Sequence, residues 1–266
     1  MQLGGRHVLL TGATGGLGQA IARELASHGA RLLLTGRRED VLEALATELG
    51  RDARALAVDL GRPAEVERLV DDAGQVDVLV ANAALPGSGR LTSFEPAQID
   101  AALDVNLRAP MQLARALSPA MVERGRGQLV FVSSLSGKAA TTGSSVYSAT
   151  KFALRGFSLA LRSELADTGV GVSCVFPGFI RGAGMFHESG TVLPWFAGTR
   201  TPEDVGRAVA RAIERDLAEV DVAPLGLRLG ATFAGLAPET ADAVNRRLGA
   251  DRVAEDIAAG QTHKRG

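Results

Sequence analysis

Short apolar segments alternate with amphipathic segments along almost the whole chain, and this alternation constrains the fold more than any other feature. The segments with strand character are 7–11, 31–35, 54–58, 76–80, 128–132, 170–176 and 219–222. Apolar residues recur at helical spacing in segments 16–28, 40–49, 64–73, 96–124, 145–167 and 202–216. Several strands are apolar at nearly every position, which is typical of strands buried on both faces. The pattern predicts an α/β fold, a Rossmann-type doubly wound parallel sheet of about seven strands with helices on both faces.

Length and charge narrow the class of protein further. With 266 residues, 46% of them hydrophobic, the chain can bury one large core, and we expect a single domain over residues 1–223. The formal net charge is −1 and neither sign clusters, so no nucleic-acid partner is expected. Four histidines without ligand spacing and a single cysteine, Cys174, predict no metal site and no internal disulfide. The sequence shows neither a signal peptide nor a membrane span, so we expect a cytoplasmic protein.

Residues 224–266 differ in pattern from the rest of the chain. Leu225–Leu236 is apolar and interrupted by glycine, and 238–249 has the pattern of a short helix with a polar face. This C-terminal extension could cover a substrate cleft, pack against a partner subunit, or complete the core of the same domain.

A glycine-rich turn joins the first strand to the first helix. Glycine lets the backbone approach a pyrophosphate, and the N-terminus of a helix offers free N–H groups and partial positive charge. Because the turn follows the first strand and opens the first helix, it predicts a dinucleotide site. The predicted contacts come from Gly12, Thr14, Gly15, Gly16, Leu17 and Gly18.

The second strand ends without the acidic residue that commonly binds the ribose 2′-hydroxyl of NAD. Gly36 stands there instead, and Arg37 follows it. A guanidinium can bind a 2′-phosphate through its planar fork, so we expect NADP(H) to be preferred over NAD(H). The alternative is that Arg37 and Arg38 are solvated residues that open the next helix.

Tyr147 is the only tyrosine of the chain, and Lys151 follows it by one helical turn. Residues four apart lie on the same face of a helix, so the ammonium can lie beside the phenol. A nearby positive charge favours the phenolate and lowers a pKa that is ordinarily about 10. The pair is therefore a candidate general acid and base.

Further motifs occur in a fixed order around these residues. Thr11-Gly-x-x-x-Gly16-x-Gly18 comes first, Asp59 and Leu60 follow the third strand, and Asn82 and Ala83 follow the fourth. Asn106 lies in the long helical segment, Ser134 lies thirteen residues before Tyr147, and Pro177-Gly178 follows the sixth strand. With these motifs the chain resembles the short-chain dehydrogenase/reductase family over residues 6–222, which is nearly the whole domain.

The resemblance implies an oxidoreductase that interconverts a ketone or aldehyde and an alcohol with a nicotinamide cofactor. The implied catalytic residues are Asn106, Ser134, Tyr147 and Lys151, with Tyr147 as general acid/base and Asn106 holding a water that links Lys151 to solvent. Further cofactor contacts are implied for Asp59, Leu60, Asn82, Ala83, Tyr147, Lys151, Pro177, Gly178 and Ile180. Similar proteins pair the helices of segments 96–124 and 145–167 between subunits, so a homodimer or homotetramer is expected. Phe152, Phe157 and Leu161 could serve such a contact or could all be core.

Two segments are expected to select the substrate, a loop at 84–90 and an insertion at about 182–200. The apolar residues of the insertion are Met185, Phe186, Val192, Leu193, Pro194, Trp195 and Phe196. An apolar wall of this kind predicts a lipophilic ketone or alcohol as the small-molecule substrate. Gly182 stands where similar proteins often carry threonine, so a hydroxyl contact to the cofactor is expected to be missing.

Two rival functions remain open from the sequence. One is a catalytically silent NADP-binding regulatory or scaffold protein on the same fold, and the other is a lyase or epimerase that uses the same tyrosine and cofactor. The complete set Asn106, Ser134, Tyr147 and Lys151 favours an active oxidoreductase over the silent protein.

Overall fold

The structure, a computed structural model, describes residues 1–188, 198–247 and Gly260. One sheet contains seven strands: β1 His7–Thr11, β2 Arg31–Gly36, β3 Ala53–Ala57, β4 Val78–Ala81, β5 Gly127–Val132, β6 Val170–Pro177 and β7 Glu219–Val222. Their order in the sheet is β3-β2-β1-β4-β5-β6-β7, and every neighbouring pair is parallel. The predicted doubly wound parallel sheet is therefore confirmed.

Helices cover both faces of this sheet. They are α1 Gly16–Ser27, α2 Glu39–Leu49, α3 Pro63–Ala73, α4 Pro96–Leu103, α5 Ala109–Glu123, α6 Ser145–Glu164, α7 Gly184–Glu188, α8 Pro202–Arg215, α9 Leu225–Leu236 and α10 Pro238–Arg247. No helix within the described part of the chain is long and apolar enough to cross a membrane.

The strand side chains alternate between two separate cores. On β1, Val8 and Leu10 pack with residues of α1, α2 and α8, whereas Leu9 packs with residues of α3, α5 and α6. Because successive side chains of a strand point to opposite faces, strands that are apolar at every position can fill both cores. This explains why the central strands lack the alternating polar residues of a half-exposed sheet.

The strand order reverses between β1 and β4. β1 pairs with β2 on one side and with β4 on the other, so the chain winds outward in both directions from this point. The loops after the two strands therefore diverge and leave a crevice at their carboxyl ends, which is where open α/β sheets bind ligands.

The prediction of one continuous helix over 96–124 is wrong in one respect. The structure divides it into α4, a π-helical turn over Asp104–Arg108, and α5. Pro110 lies in the first turn of α5 and has no N–H to donate to the carbonyl of Asn106, so the regular α-helical ladder cannot continue through this point.

Helix α9 of the C-terminal extension leaves most of its large apolar side chains exposed. In α9, Leu225, Leu229 and Leu236 are each more than 60% exposed, and Ala231 is the buried residue of this helix. The predicted helix over 238–249 is present as α10, and residues 248 and 249 lie outside the described residues.

Candidate active site

The glycine-rich turn lies at the carboxyl end of β1, beside the crevice between β1 and β4. Gly12 has φ +67°, a left-handed conformation that favours glycine, and a Cβ there would lie 2.7 Å from the Cα of Ala83. A Cβ on Gly18 would collide with the Gly12 carbonyl and lie 2.8 Å from the Cα of Ala13. At the N-terminus of α1, Gly15 supplies no side-chain cap, so its first N–H groups are open to a phosphate. The turn therefore fits a dinucleotide pyrophosphate.

Asn82 and Thr11 hold this turn against the end of β4. The Asn82 side-chain amide donates to the carbonyls of Thr11 (3.1 Å) and Gly12 (3.2 Å), and the Thr11 hydroxyl accepts from the N–H groups of Asn82 and Ala83, both at 3.1 Å. The side chain of Asn82 thus supports the cofactor site by fixing its backbone.

The two arginines after β2 lie in different surroundings. Arg38 donates from Nη2 to the carbonyl of Thr14 at 2.6 Å, which ties it to the glycine-rich turn. Arg37 is exposed, and its guanidinium forms no hydrogen bond or ion pair with any residue in the described part of the chain. A Cβ on Gly36 would lie 2.9 Å from Cγ2 of Thr14, so this position is tightly packed against the turn. Of the two guanidiniums, that of Arg37 is free to take an anion.

The Asp59 carboxylate lies at the carboxyl end of β3, on the same edge of the sheet. Its Oδ1 accepts from the N–H of Gly61 at 3.0 Å, and its own N–H donates to Glu65 at 2.7 Å. Leu60 next to it is buried. Both residues therefore follow β3 at the carboxyl edge of the parallel sheet, where β1 also ends in the glycine-rich turn.

Tyr147 and Lys151 lie on α6, and Ser134 lies directly after β5. The Lys151 ammonium is 5.5 Å from the centroid of the Tyr147 ring and donates to the carbonyl of Val132 at 3.0 Å. The Ser134 hydroxyl oxygen accepts from the N–H of Ser136 at 3.1 Å, so its own proton is left to donate elsewhere. The end of the strand thus brings Ser134 towards a pair that one helical turn places together, Tyr147 and Lys151.

Burial dominates the protonation of this group. Tyr147 is partly exposed as a residue, but desolvation raises the pKa of its phenol to about 12, against a smaller lowering by a side-chain hydrogen bond with Ser134. Burial also lowers the pKa of the Lys151 ammonium to about 8. The pKa of the phenol is therefore raised, not lowered as the sequence predicted, because desolvation outweighs the hydrogen-bonding effect of Ser134.

Asn106 lies in the π-helical turn and is fully buried. Its Oδ1 accepts from the N–H of Leu85 at 2.6 Å, and its Nδ2 donates to the carbonyl of Leu85 at 3.0 Å and to the Thr150 hydroxyl at 3.4 Å. Both N–H donors of the side-chain amide are thereby used and its oxygen accepts one hydrogen bond, so the side chain is fixed between Leu85 and Thr150. Single π turns inside helices are frequent at functional sites.

The segment after β6 closes the other side of the crevice. Gly178 donates from its N–H to Val222, and a Cβ on it would lie 3.1 Å from the side chain of Leu135, next to Ser134. Ile180 and Arg200 form an isolated β-bridge. Its two hydrogen bonds join Arg200 to Phe179 and to Arg181, so the backbone N–H and C=O of Ile180 take no part in them.

Gly182 and Ala183 continue this segment along the glycine-rich turn. Gly182 has φ +81°, so the threonine found here in similar proteins would be strained in this backbone. A Cβ on Gly16 would collide with the side chain of Ala183, which places this segment directly against the turn.

Much of the predicted substrate wall lies outside the described residues. This applies to Val192, Leu193, Pro194, Trp195 and Phe196, and only the backbone of Phe186 is described. Met185 is partly buried and His187 is exposed on α7.

Two glycines of the site were missed by sequence reasoning. A Cβ on Gly87 would lie 2.9 Å from the N of Tyr147, whose N–H donates to the Gly87 carbonyl. A Cβ on Gly137 would lie 2.6 Å from the Ser133 hydroxyl and 2.7 Å from the Lys151 carbonyl. The two glycines let loops approach α6 closely, at Tyr147 and at Lys151. A glycine in a loop is too common a signal for the sequence to have distinguished them.

A doubly wound parallel sheet with a glycine-rich turn after its first strand is the fold of dinucleotide-binding proteins. The short chain dehydrogenase family model matches residues 6–192. Ketoacyl reductase HetN of Nostoc sp. (strain PCC 7120) is 38% identical over 83% of this chain and 79% of its own length. The chain therefore belongs to the short-chain dehydrogenase/reductase family, and it is an NAD(P)-dependent enzyme that acts on CH–OH and C=O groups.

Solved structures agree with this assignment. A putative betaketoacyl-ACP reductase has a TM-score of 0.78 and 30% identity, and the match covers 85% of this chain and 99% of that one. A metagenomic short-chain oxidoreductase in complex with NADP has a TM-score of 0.70 and 35% identity, over 84% of this chain and 99% of that one.

Proposed function

We propose that this protein is an NADP(H)-dependent reductase that interconverts a lipophilic ketone and its secondary alcohol, with Tyr147 as general acid and base. The observation that carries the proposal is the grouping of three side chains: the Lys151 ammonium lies 5.5 Å from the centroid of the Tyr147 ring, and the Ser134 hydroxyl is near enough to the phenol to lower its pKa. A carbonyl oxygen placed between the two hydroxyls would accept a hydrogen bond from each. When bound, the nicotinamide supplies or accepts the hydride.

The raised pKa of Tyr147 suits the reductive direction. At neutral pH a phenol with a pKa of about 12 stays protonated, which is the form that donates to an oxygen gaining negative charge. The Ser134 hydroxyl stabilises the same charge by a second hydrogen bond. Lys151 is fully buried and orients its ammonium at the end of β5, where it can supply positive charge to the crevice.

Arg37 supports the preference for NADP(H). Its guanidinium is exposed and unpaired within the described part of the chain, at the end of β2 where Gly36 replaces an acid. A 2′-phosphate would give this cation a bidentate partner, whereas NAD(H) would leave it solvated.

The names of the relatives support a β-ketoacyl compound as the first substrate to test. Ketoacyl reductase HetN and the betaketoacyl-ACP reductase structure both act, by their names, on a ketone carried by an acyl chain. Such a compound fits the lipophilic ketone expected from the apolar composition of the segment after β6.

A homodimer or homotetramer is part of the proposal. Met111 of α5 and Phe152 and Leu159 of α6 are large apolar side chains that are about 40% exposed, and contact with a second copy of the chain would remove them from water. Phe157 and Leu161 instead pack against the core, with Phe157 edge-to-face on Phe131 at 5.4 Å. Light scattering after size-exclusion chromatography would measure the assembly.

The decisive experiment is reduction of a β-keto ester with NADPH, followed by absorbance at 340 nm, for the wild type and Tyr147→Phe. The phenylalanine keeps the ring and removes the proton donor, so kcat should fall by about 100-fold or more while the Kd for NADPH stays within twofold. Wild-type turnover by Tyr147→Phe would refute the proposed role. Product formation without stoichiometric NADPH consumption would indicate a lyase or an epimerase.

A further inference from the structure

A cluster of charged side chains lies behind the Ser134 loop, outside the residues assigned above. Lys138 follows Ser134 by four residues, and its side chain is only 12% exposed. Its ammonium lies 2.9 Å from Glu219 and 2.7 Å from Asp221. Because these two carboxylates are two residues apart on β7, they lie on the same face of the sheet, and a single cation can bridge them.

Neighbouring groups fix the geometry of this cluster. Arg155, one helical turn after Lys151 on α6, pairs with Glu219 at 2.6 Å, and the ring of Phe176 lies 4.1 Å from the Lys138 ammonium. Burial raises the pKa of Glu219, but hydrogen bonds from Arg155 and Lys138 outweigh it, so the net pKa is below its ordinary value. The buried Oδ1 of Asp221 accepts no well-aligned hydrogen bond in the described structure, and the Lys138 ammonium is its charge partner.

The cluster is attached to the loop that carries Ser134. On one side of this loop, Gly137 packs against Ser133 and the backbone of Lys151. On the other side, the Lys138 side chain reaches the carboxylates of β7. The short helical turn Leu135–Gly137, which leads from Ser134 to Lys138, donates an N–H to the Ser134 oxygen. A buried ion pair with two carboxylates constrains its lysine more strongly than an exposed pair would.

We propose that Lys138 is a positioning residue, which holds the Ser134 loop against β7 through Glu219 and Asp221 and so fixes the Ser134 hydroxyl for the substrate carbonyl. This rests on the proposed function, because Lys138 acts through Ser134. The cluster also contacts the C-terminal extension, since Arg228 of α9 lies 3.7 Å from Asp221.

The test compares Lys138→Met with Ser134→Ala and with the double variant. Methionine keeps an unbranched side chain of nearly the same length and removes the charge. Loss of the ion pairs should lower kcat for the β-keto ester by on the order of 10- to 100-fold, as expected when a catalytic group shifts by a fraction of an ångström to one ångström. The Kd for NADPH should stay within twofold, and Lys138→Arg should recover most of kcat.

The double variant separates positioning from general stability. If Lys138 acts through Ser134, Lys138→Met should lower kcat by less than twofold in the Ser134→Ala background. Single-turnover measurements at high enzyme concentration keep these slow variants measurable. The proposal would be overturned if Lys138→Met lowered kcat by the same factor in the wild-type and Ser134→Ala backgrounds. It would also be overturned if Lys138→Met alone left kcat unchanged.

Two controls complete the design. Arg207→Met removes an exposed ion pair with Asp204 on α8 and should leave kcat unchanged. If Lys138→Met does not fold, Asp221→Asn takes its place, because it weakens the same ion pair from the β7 side. Its effect on kcat is then compared in the wild-type and Ser134→Ala backgrounds. A failure of the proposed function would appear separately, as wild-type turnover in Tyr147→Phe, and would not depend on any Lys138 variant.

Discussion

Gly18→Ala tests the cofactor site with a single methyl group. A Cβ at this position would collide with the carbonyl oxygen of Gly12 and lie 2.8 Å from the Cα of Ala13, whereas an ordinary contact needs at least 3.4 Å, so α1 and the turn would have to separate by more than about 0.6 Å. Overpacking of this kind costs about 1–3 kcal/mol of folding stability. The shift also moves the N–H groups that face the phosphates, and each charge-assisted hydrogen bond is worth about 1.5–3 kcal/mol. Loss of one such bond should raise the Kd for NADPH roughly 10- to 150-fold.

Isothermal titration calorimetry with NADPH would measure the Kd, and urea unfolding would measure the free energy of unfolding. Gly156→Ala is the matched control, because Gly156 is an exposed residue of α6 with nothing within 4 Å of a Cβ. That variant should gain about 0.5–1 kcal/mol of stability and bind NADPH normally. A Gly18→Ala protein whose Kd stays within twofold of the wild type would show that the nucleotide does not bind at this turn.

Two further predictions concern charge. Arg37→Ala should weaken NADPH binding about 10-fold or more and leave NADH binding unchanged, because only NADPH has a 2′-phosphate; Arg38→Ala, which disturbs the turn through Thr14, should affect both nucleotides alike. If Arg37→Ala weakened NADPH and NADH binding equally, the assignment of Arg37 to the 2′-phosphate would be contradicted. Because the pKa of Lys151 is lowered to about 8 in the folded protein, the unfolded chain binds more protons between about pH 8 and the ordinary lysine value of 10.5. The free energy of unfolding of the wild type, measured relative to that of Lys151→Met, should therefore rise across this pH window by up to about 1.4 kcal/mol per pH unit. If urea unfolding showed the same difference between the two proteins at every pH, the lowered pKa of Lys151 would be contradicted.

Sequence reasoning succeeded where a local pattern is enough to fix the structure. The apolar strands and the helical spacing between them predicted the order of strands and helices along the chain. The spacing of apolar residues within a segment depends on which of its faces is buried, so it can be interpreted segment by segment. The glycine-rich turn was located because its neighbours in sequence are also its neighbours in space. The pair Tyr147 and Lys151 was found for the same reason, through the four-residue repeat of a helix.

Other features depend on contacts between distant segments, which no local pattern reports. The π turn at Asn106 follows partly from Pro110, but its hydrogen bonds to Leu85 and Thr150 exist only in the folded chain. The burial that raises the pKa of Tyr147 likewise comes from the packing of several elements around the phenol.

The sequence by itself thus determined the sheet, the glycine-rich turn after β1 and the pairing of Tyr147 with Lys151 on one helix, because those depend on spacing along the chain. Tertiary structure alone decided the protonation of Tyr147, the free guanidinium of Arg37 and the attachment of Lys138 to β7. The physical reason is that solvation and ion pairing depend on which segments meet in space, and Lys138 meets carboxylates that lie more than 80 residues further along the chain.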